Sequence, residues 1–264
     1  MLTWLYWNPD PTAFVLPFVG HPVRWYGIFF ALGFVAGYLL MRKAAVAFVD
    51  GDKRCAALLV DKMMWYIVIG VVVGARLGHV FFYDWKTRFA HNLLDVVKVW
   101  EGGLASHGGV VGAVVGFALF RLSVRKKFPH IKLLTLLDAA CLPSALVSFA
   151  IRIGNFFNQE IVGGVTTLPW AVIFGNSPEG VAPLPRHPVQ LYEAISYLAL
   201  FCLFFPLWAK RKAAWLARPG AFTGLYIALM FAARFALEFV KLPQSEFDGS
   251  LGPLMMGQLL SLPF

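Results

Sequence analysis

The chain has 264 residues, of which 59% are hydrophobic and 14% charged, with a mean hydropathy of +0.69. Those shares lie outside the range of a water-soluble globular domain and mark a polytopic membrane protein. The formal net charge of +9 does not indicate nucleic acid, because more than half of the 23 Lys and Arg residues fall in three loops beside apolar segments, where basic charge sets topology or meets anionic lipid.

In chain order, the first twenty residues lack a basic leader and carry Trp4, Tyr6, Trp7, Pro9 and Pro11, which suits an interfacial anchor rather than a cleavable signal. A membrane-crossing helix needs about 20 apolar residues. Such stretches lie near 25–41, 63–83, 104–120, 133–151, 189–208 and 221–240, with a shorter seventh from 251 to 264. Transmembrane strands would alternate with period two, whereas FFALGFVAGYLL and YLALFCLFFPLW are apolar all round, so a barrel is excluded. Gly33 and Gly37, then Gly70, Gly74 and Gly78, then Gly108, Gly112 and Gly116 recur at the spacing that lets helix backbones approach closely. Between the second and third spans, DWKTRFAHNLLDVVKVWEGG is too polar to cross, and its amphipathic middle LLDVVKVW is expected at the outer interface. From about 155 to 188, VTTLPWAVIFG between Pro and Gly breakers predicts a small extramembrane head of short strands and turns. Cys141 and Cys202 lie in apolar segments and Cys55 in a basic loop, so no outward-facing disulfide is expected. The expected fold is an all-α polytopic membrane protein. It is a bundle of about seven transmembrane helices, the last one short, forming a single domain over 1–264.

Ionisable side chains interrupt the apolar segments at His107 in SHGGVVG, at Arg152 in RIGNFFNQE, and at Arg234 and Glu238 in FAARFALEFV. Charge at bilayer depth is costly and faces a protein interior or a wet cavity, so each is a candidate functional residue. His107 is bracketed by Gly102, Gly103, Gly108 and Gly109, a backbone able to break or to approach a ligand. An imidazole titrates near neutral pH and suits a proton acceptor; a hydrogen bond between helices is the plainer alternative. Arg152 and Asn155 share a helix face and are followed by Asn158, Gln159 and Glu160. A guanidinium fork beside an amide suits an anionic headgroup, against the simpler reading of an arginine snorkelling at a helix end. Arg234 and Glu238 are one turn apart and either neutralise each other or offer a second guanidinium. Two arginines from different helices with a histidine suit a phosphate. No HExxH, CxxC pair, Walker loop or GxGxxG after a strand occurs, so no metal, nucleotide or other cofactor is expected.

WEGGLASHGG, RIGNFFNQEIVGG, RHPVQLYE, RFALEF and MGQLLSLP, in this order and spacing, resemble the bacterial prolipoprotein diacylglyceryl transferase family over nearly the whole chain, from Tyr26 to Pro263. The resemblance implies that a diacylglyceryl group moves from phosphatidylglycerol to the lipobox cysteine of a prolipoprotein, releasing glycerol phosphate. It implies a multi-pass protein of the bacterial inner membrane, with its active site toward the periplasm, a periplasmic head and two laterally open clefts. The implied partners are phosphatidylglycerol, prolipoprotein signal peptides carrying a lipobox cysteine, and membrane lipid. Carried over by motif, His107, Arg152 and Arg234 are the catalytic set, and Tyr26, Asn155, Glu160, Gly163 and Glu238 join the two arginines as substrate-binding residues. Val189 stands where the family commonly has Ser or Thr, Met230 and Phe231 where a tyrosine often precedes the second arginine, and Lys241 where arginine is usual. The final apolar stretch, ending at Phe264, is shorter than the family's last helix.

The bare residues agree with that chemistry. A thiol with pKa about 8.5 attacks only as thiolate and needs a base or a positive field, and fixed guanidinium groups stabilise charge developing on a departing phosphate. Two alternatives come from other classes. An anionic-solute transporter would carry internal repeats or paired broken helices, and no repeat is visible; a noncatalytic lipid-binding scaffold would keep a headgroup site without turnover. The basic loops follow the first, third and fifth apolar segments, which puts the N-terminus outside. In a chain whose native cysteines are replaced, Phe18→Cys should therefore react with an impermeant thiol reagent on intact cells, and Lys126→Cys only after permeabilisation. Labelling of Lys126→Cys on intact cells would overturn the placement.

Overall fold

The computed structural model describes residues 4–18, 20–82, 96–99, 102–177, 181–210, 218–242, 254–259 and 261–263. Half of the expected interfacial stretch LLDVVKVW, and Arg211 and Lys212 of the third basic loop, lie outside the described residues. The elements are β1 (Leu5–Trp7), β2 (Thr12–Val15), β3 (Pro22–Arg24), α1 (Trp25–Ala45), α2 (Lys53–His79), α3 (Ser106–Val124), α4 (Leu133–Phe157), β4 (Val172–Phe174), β5 (Pro185–Arg186), α5 (Val189–Lys210), α6 (Ala221–Glu238) and α7 (Met256–Leu259).

Among the described residues, 6 helices are long and apolar enough to cross a membrane. The chain is a polytopic all-α membrane protein, as its composition required. Within the last apolar stretch, α7 has only 4 residues and cannot cross. The second span begins well before its apolar window, because Asp52 caps α2: its Oδ1 accepts the Arg54 and Cys55 N–H groups at 2.8 and 3.0 Å. That leaves the charged first turn helical and outside any hydropathy window.

The chain divides into two compact units, Met1–Leu40 with Ala140–Phe264, and Met41–Ala139. In the second unit α2 and α3 meet backbone to backbone. A Cβ added at Gly74 would stand 2.7 Å from Gly112 Cα, and one at Gly78 would stand 2.9 Å from Gly108 Cα. Neither gap holds a side chain, so the glycine repeat is a helix crossing. Tyr66 meets Phe120 edge-on at 6.0 Å farther along the same seam.

In the first unit the same device brings α1 onto α4, where a Cβ at Gly33 would lie 2.9 Å from Ala150 Cβ. Trp25 and Phe29 both pack on Phe157, at 5.5 and 5.3 Å between ring centroids. The head is a small sheet. β4 pairs antiparallel with β5 through Val172↔Arg186 and parallel with β1 through Leu5↔Val172 and Trp7↔Phe174. Its core is Phe156, Val162, Val172 and Phe174, with Trp7 packed against them. The aromatic N-terminus, read as an interfacial anchor, thus also supplies a strand to the head: Trp7 stacks on Phe156 at 4.7 Å and donates its indole N–H to the Phe156 carbonyl at 3.1 Å.

Overpacking a tight contact costs about 1–3 kcal/mol. Gly112→Val should therefore lower the thermal unfolding midpoint in detergent. Gly27→Ala, whose added Cβ meets nothing within 4 Å, should leave it unchanged or raised. Equal midpoints for the two variants would refute the close crossing.

Candidate active site

The site begins where α4 stops. The chain reverses there through two residues with positive φ that are not glycine, Gln159 at 56° and Ile161 at 58°. For a β-branched residue this backbone is a genuine outlier, held only where surrounding contacts over-determine it. The contacts are present. Gln159 is buried, accepts the Asn176 N–H at 2.8 Å and donates to Asn8 Oδ1 at 3.3 Å. Gln190 donates to the Glu160 carbonyl at 2.7 Å. The reversal turns Glu160 back onto α4, where its Oε1 accepts from Asn155 Nδ2 at 2.7 Å.

Asn155 passes the contact on, its Oδ1 accepting from Arg152 Nη1 at 3.0 Å. The one-face spacing of Arg152 and Asn155 thus becomes a hydrogen bond. The other edge of the guanidinium is also held, with Nε 2.7 Å from Glu193 Oε2. Glu193 comes from the start of α5 and is buried, and its Oε1 lies 2.7 Å from Lys241 Nζ. Lys241 also reaches Glu238 Oε2 at 3.2 Å. Glu238 was read from sequence as a possible partner of Arg234; its ion pair here is with Lys241, because the chain turns past α6 and brings the lysine back.

Tyr197 on α5 lies within electrostatic reach of Arg152, Arg234 and Glu193. Tyr26, near the start of α1, lies within reach of Arg152 and Glu160. It comes that close because Gly154 has no side chain: a Cβ there would stand 2.9 Å from Tyr26 Cδ2. Tyr26, Arg152, Asn155, Glu160, Arg234 and Glu238 therefore converge in the first unit. Gly163 contributes packing and backbone. Its N–H donates to the His187 carbonyl at 3.2 Å, its carbonyl accepts from Arg186 Nη1 at 3.2 Å, and it bridges Lys241.

His107 belongs to the second unit, in the first turn of α3. The glycines around it divide by role. Gly102 and Gly103 take positive φ of 86° and 72° in the loop before the helix, while Gly108 packs against α2. Arg76, buried in α2, holds that loop by donating to the carbonyls of Val96 at 2.9 Å and of Gly102 at 2.6 Å. His107 lines an apolar cavity of about 790 Å³ between α2 and α3, with Trp65, Phe81 and Val111.

Sequence reasoning passed over Glu193, Tyr197 and Arg76, and noted Lys241 only as a departure from the family's usual arginine. Glu193 and Arg76 carry the same signal that singled out Arg152, a charge inside an apolar helix. Tyr197 carries none, since an aromatic in a membrane helix is ordinary. Among the described residues no group of His, Cys, Asp and Glu is arranged to hold a metal ion.

Comparison with known proteins gives one answer. The family model of prolipoprotein diacylglyceryl transferase matches residues 11–264. The chain is 42% identical over 261 residues to the phosphatidylglycerol–prolipoprotein diacylglyceryl transferase of Tolumonas auensis, covering 98% of this chain and 93% of the relative. It is 35% identical over 352 residues to the protein of the same name from Protochlamydia amoebophila, covering 100% and 92%. It is 40% identical over 261 residues to that of Chloroherpeton thalassium, covering 99% and 90%.

A Cβ at Gly163 would lie 2.5 Å from the His187 carbonyl oxygen and 2.6 Å from Val189 Cγ2, whereas one at Gly164 meets only the Val240 carbonyl oxygen, at 3.8 Å. Gly163→Ala should therefore lower the thermal midpoint and Gly164→Ala should not; the reverse order would contradict a packing role for Gly163.

Proposed function

We propose that this chain, which belongs to the prolipoprotein diacylglyceryl transferase family, moves the diacylglyceryl group of phosphatidylglycerol onto the lipobox cysteine of prolipoproteins. Residues 1–264 act as a single transferase domain in the bacterial inner membrane, with the head at about 155–188 and the active site on the periplasmic side. The observation that supports the reading is the Arg152 guanidinium held between Asn155 and Glu193, with Arg234 within electrostatic reach of the same Tyr197. Two guanidinium groups, one of them already oriented, suit a phosphodiester's charge.

The reaction forms a bond from the cysteine sulfur to the diacylglyceryl carbon and breaks that carbon's bond to the phosphate oxygen. The electron pair leaves on the phosphate, giving glycerol phosphate with one more negative charge. Arg152 and Arg234 stabilise that charge where it develops, and the planar fork suits a phosphate as a lysine's point charge does not. Tyr26, Asn155, Glu160, Gly163 and Glu238 shape the binding site around them. His107 accepts the thiol proton, because only the thiolate attacks well. No cofactor is needed.

The deciding assay mixes purified protein with phosphatidylglycerol vesicles and a lipobox peptide, and reads the peptide's gain of one diacylglyceryl group and the release of glycerol phosphate. Lipid binding without transfer would support the scaffold instead, and solute flux without transfer the transporter. Arg152→Lys and Arg234→Lys should lose most activity while still inserting; near-normal rates in both would refute bidentate charge stabilisation. His107→Gln should slow transfer by about 10²–10⁴-fold with lipid binding kept. That deficit should shrink from about pH 6 to about pH 9 as the thiolate forms unaided. A pH-independent deficit with weakened lipid binding would show His107 to be structural.

A further inference from the structure

We infer that Glu193 and Lys241 form a positioning clamp that holds the Arg152 guanidinium in its working orientation; this rests on the transferase reading above. Glu193 is buried, 1% exposed, and a buried carboxylate persists only when its charge is paired. It is paired on both oxygens, Oε2 with Arg152 Nε and Oε1 with Lys241 Nζ, each at 2.7 Å. Its orientation is thereby fixed from two sides.

Lys241 is itself fixed. Its side chain is 2% exposed, its ammonium is shared between Glu193 and Glu238, its N–H donates to the Glu238 carbonyl at 3.2 Å, and its backbone bridges Gly163. An ammonium enclosed by two carboxylates is spent on them and supplies no charge to a substrate. The linked chain Arg152, Glu193, Lys241 and Glu238 sums to zero, so it fixes geometry rather than adding field. The beneficiary is Arg152, at 16% side-chain exposure the more open member of its pair with Glu193. With Nε against Glu193 and Nη1 on Asn155, the guanidinium still has N–H groups left for an anion. It meets that anion without first losing rotamer freedom, which is what preorganisation means for a charge-stabilising group.

The clamp also accounts for lysine at position 241. What the site requires there is a cation reaching two carboxylates, which an arginine also provides. Gly257 closes the far end, since a Cβ on it would run into the Glu238 carboxylate.

The test measures turnover of the full chain in phosphatidylglycerol vesicles with a lipobox peptide, alongside the thermal midpoint. Glu193→Gln keeps the shape of the side chain and removes the double ion pair. The kcat should fall by at least about tenfold with the KM for phosphatidylglycerol little changed, the signature of an interaction that matters in the transition state. Lys241→Met should fall comparably, the double variant should be no worse than either single one because the pair acts as a unit, and Lys241→Arg should restore near-wild-type kcat. Wild-type rates in Glu193→Gln and Lys241→Met would overturn the clamp. So would loss of kcat only in step with loss of folded protein, or failure of Lys241→Arg to exceed Lys241→Met. If Glu193→Gln does not insert, the contrast between Lys241→Arg and Lys241→Met decides alone. Absence of turnover in the wild-type protein would overturn the transferase reading and the clamp with it, an outcome distinct from wild-type turnover with unaffected variants.

Discussion

The buried ion pair between Arg152 and Glu193 is the interaction on which the site depends. Neither charge is tolerable alone where it lies, and removing one partner of such a pair costs about 3–5 kcal/mol because the other is left uncompensated. Each partner therefore recruits further partners. Arg152 takes Asn155, and Glu193 takes Lys241, which takes Glu238. The result ties the end of α4, the start of α5 and the turn after α6, and it gathers Arg152, Asn155, Glu160, Glu193, Glu238 and Lys241 into one network. In a protein so largely apolar, the need to satisfy one charge organises many residues.

Close approach is the second constraint, met by omission of side chains. Gly154 lets the Tyr26 ring lie against α4, Gly163 lets the chain run beside His187 and Val189, and Gly257 makes room for the Glu238 carboxylate. In the second unit the glycines of α2 and α3 bring two backbones together, and Arg76 gathers the carbonyls of the preceding loop so that α3 starts with His107 in its first turn. Apolar helices gain little from the hydrophobic effect against one another in lipid, so packing at this range and buried polar bonds are what hold them.

The head shows how local strain is supported. Positive φ at Gln159 and Ile161 would cost about 1–3 kcal/mol each in an isolated chain. Gln159 offsets this by bonding to Asn176 and Asn8, and the sheet that includes β1 and β4 packs Phe174 against Phe156 just before the turn. The turn in exchange delivers Glu160 to Asn155. A β-strand from the N-terminus and a reversal after α4 thus act together on the placement of one carboxylate.

The sequence by itself determined the class of fold, because hydropathy, charge clustering and glycine spacing are local properties that a membrane reads directly. It also determined that Arg152 and Asn155 meet, because helical periodicity alone brings them to one face, and it marked Arg234 and Glu238 as charges requiring partners. It did not determine who the partners are. Glu238 bonds Lys241 instead of the arginine one turn before it, and Glu193, the acceptor of Arg152, comes from another helix 41 positions along the chain. Only the tertiary structure decided those pairings, because an ion pair is set by distance in space, and neither hydropathy nor periodicity carries information about which charges from different helices end at the same depth and face each other.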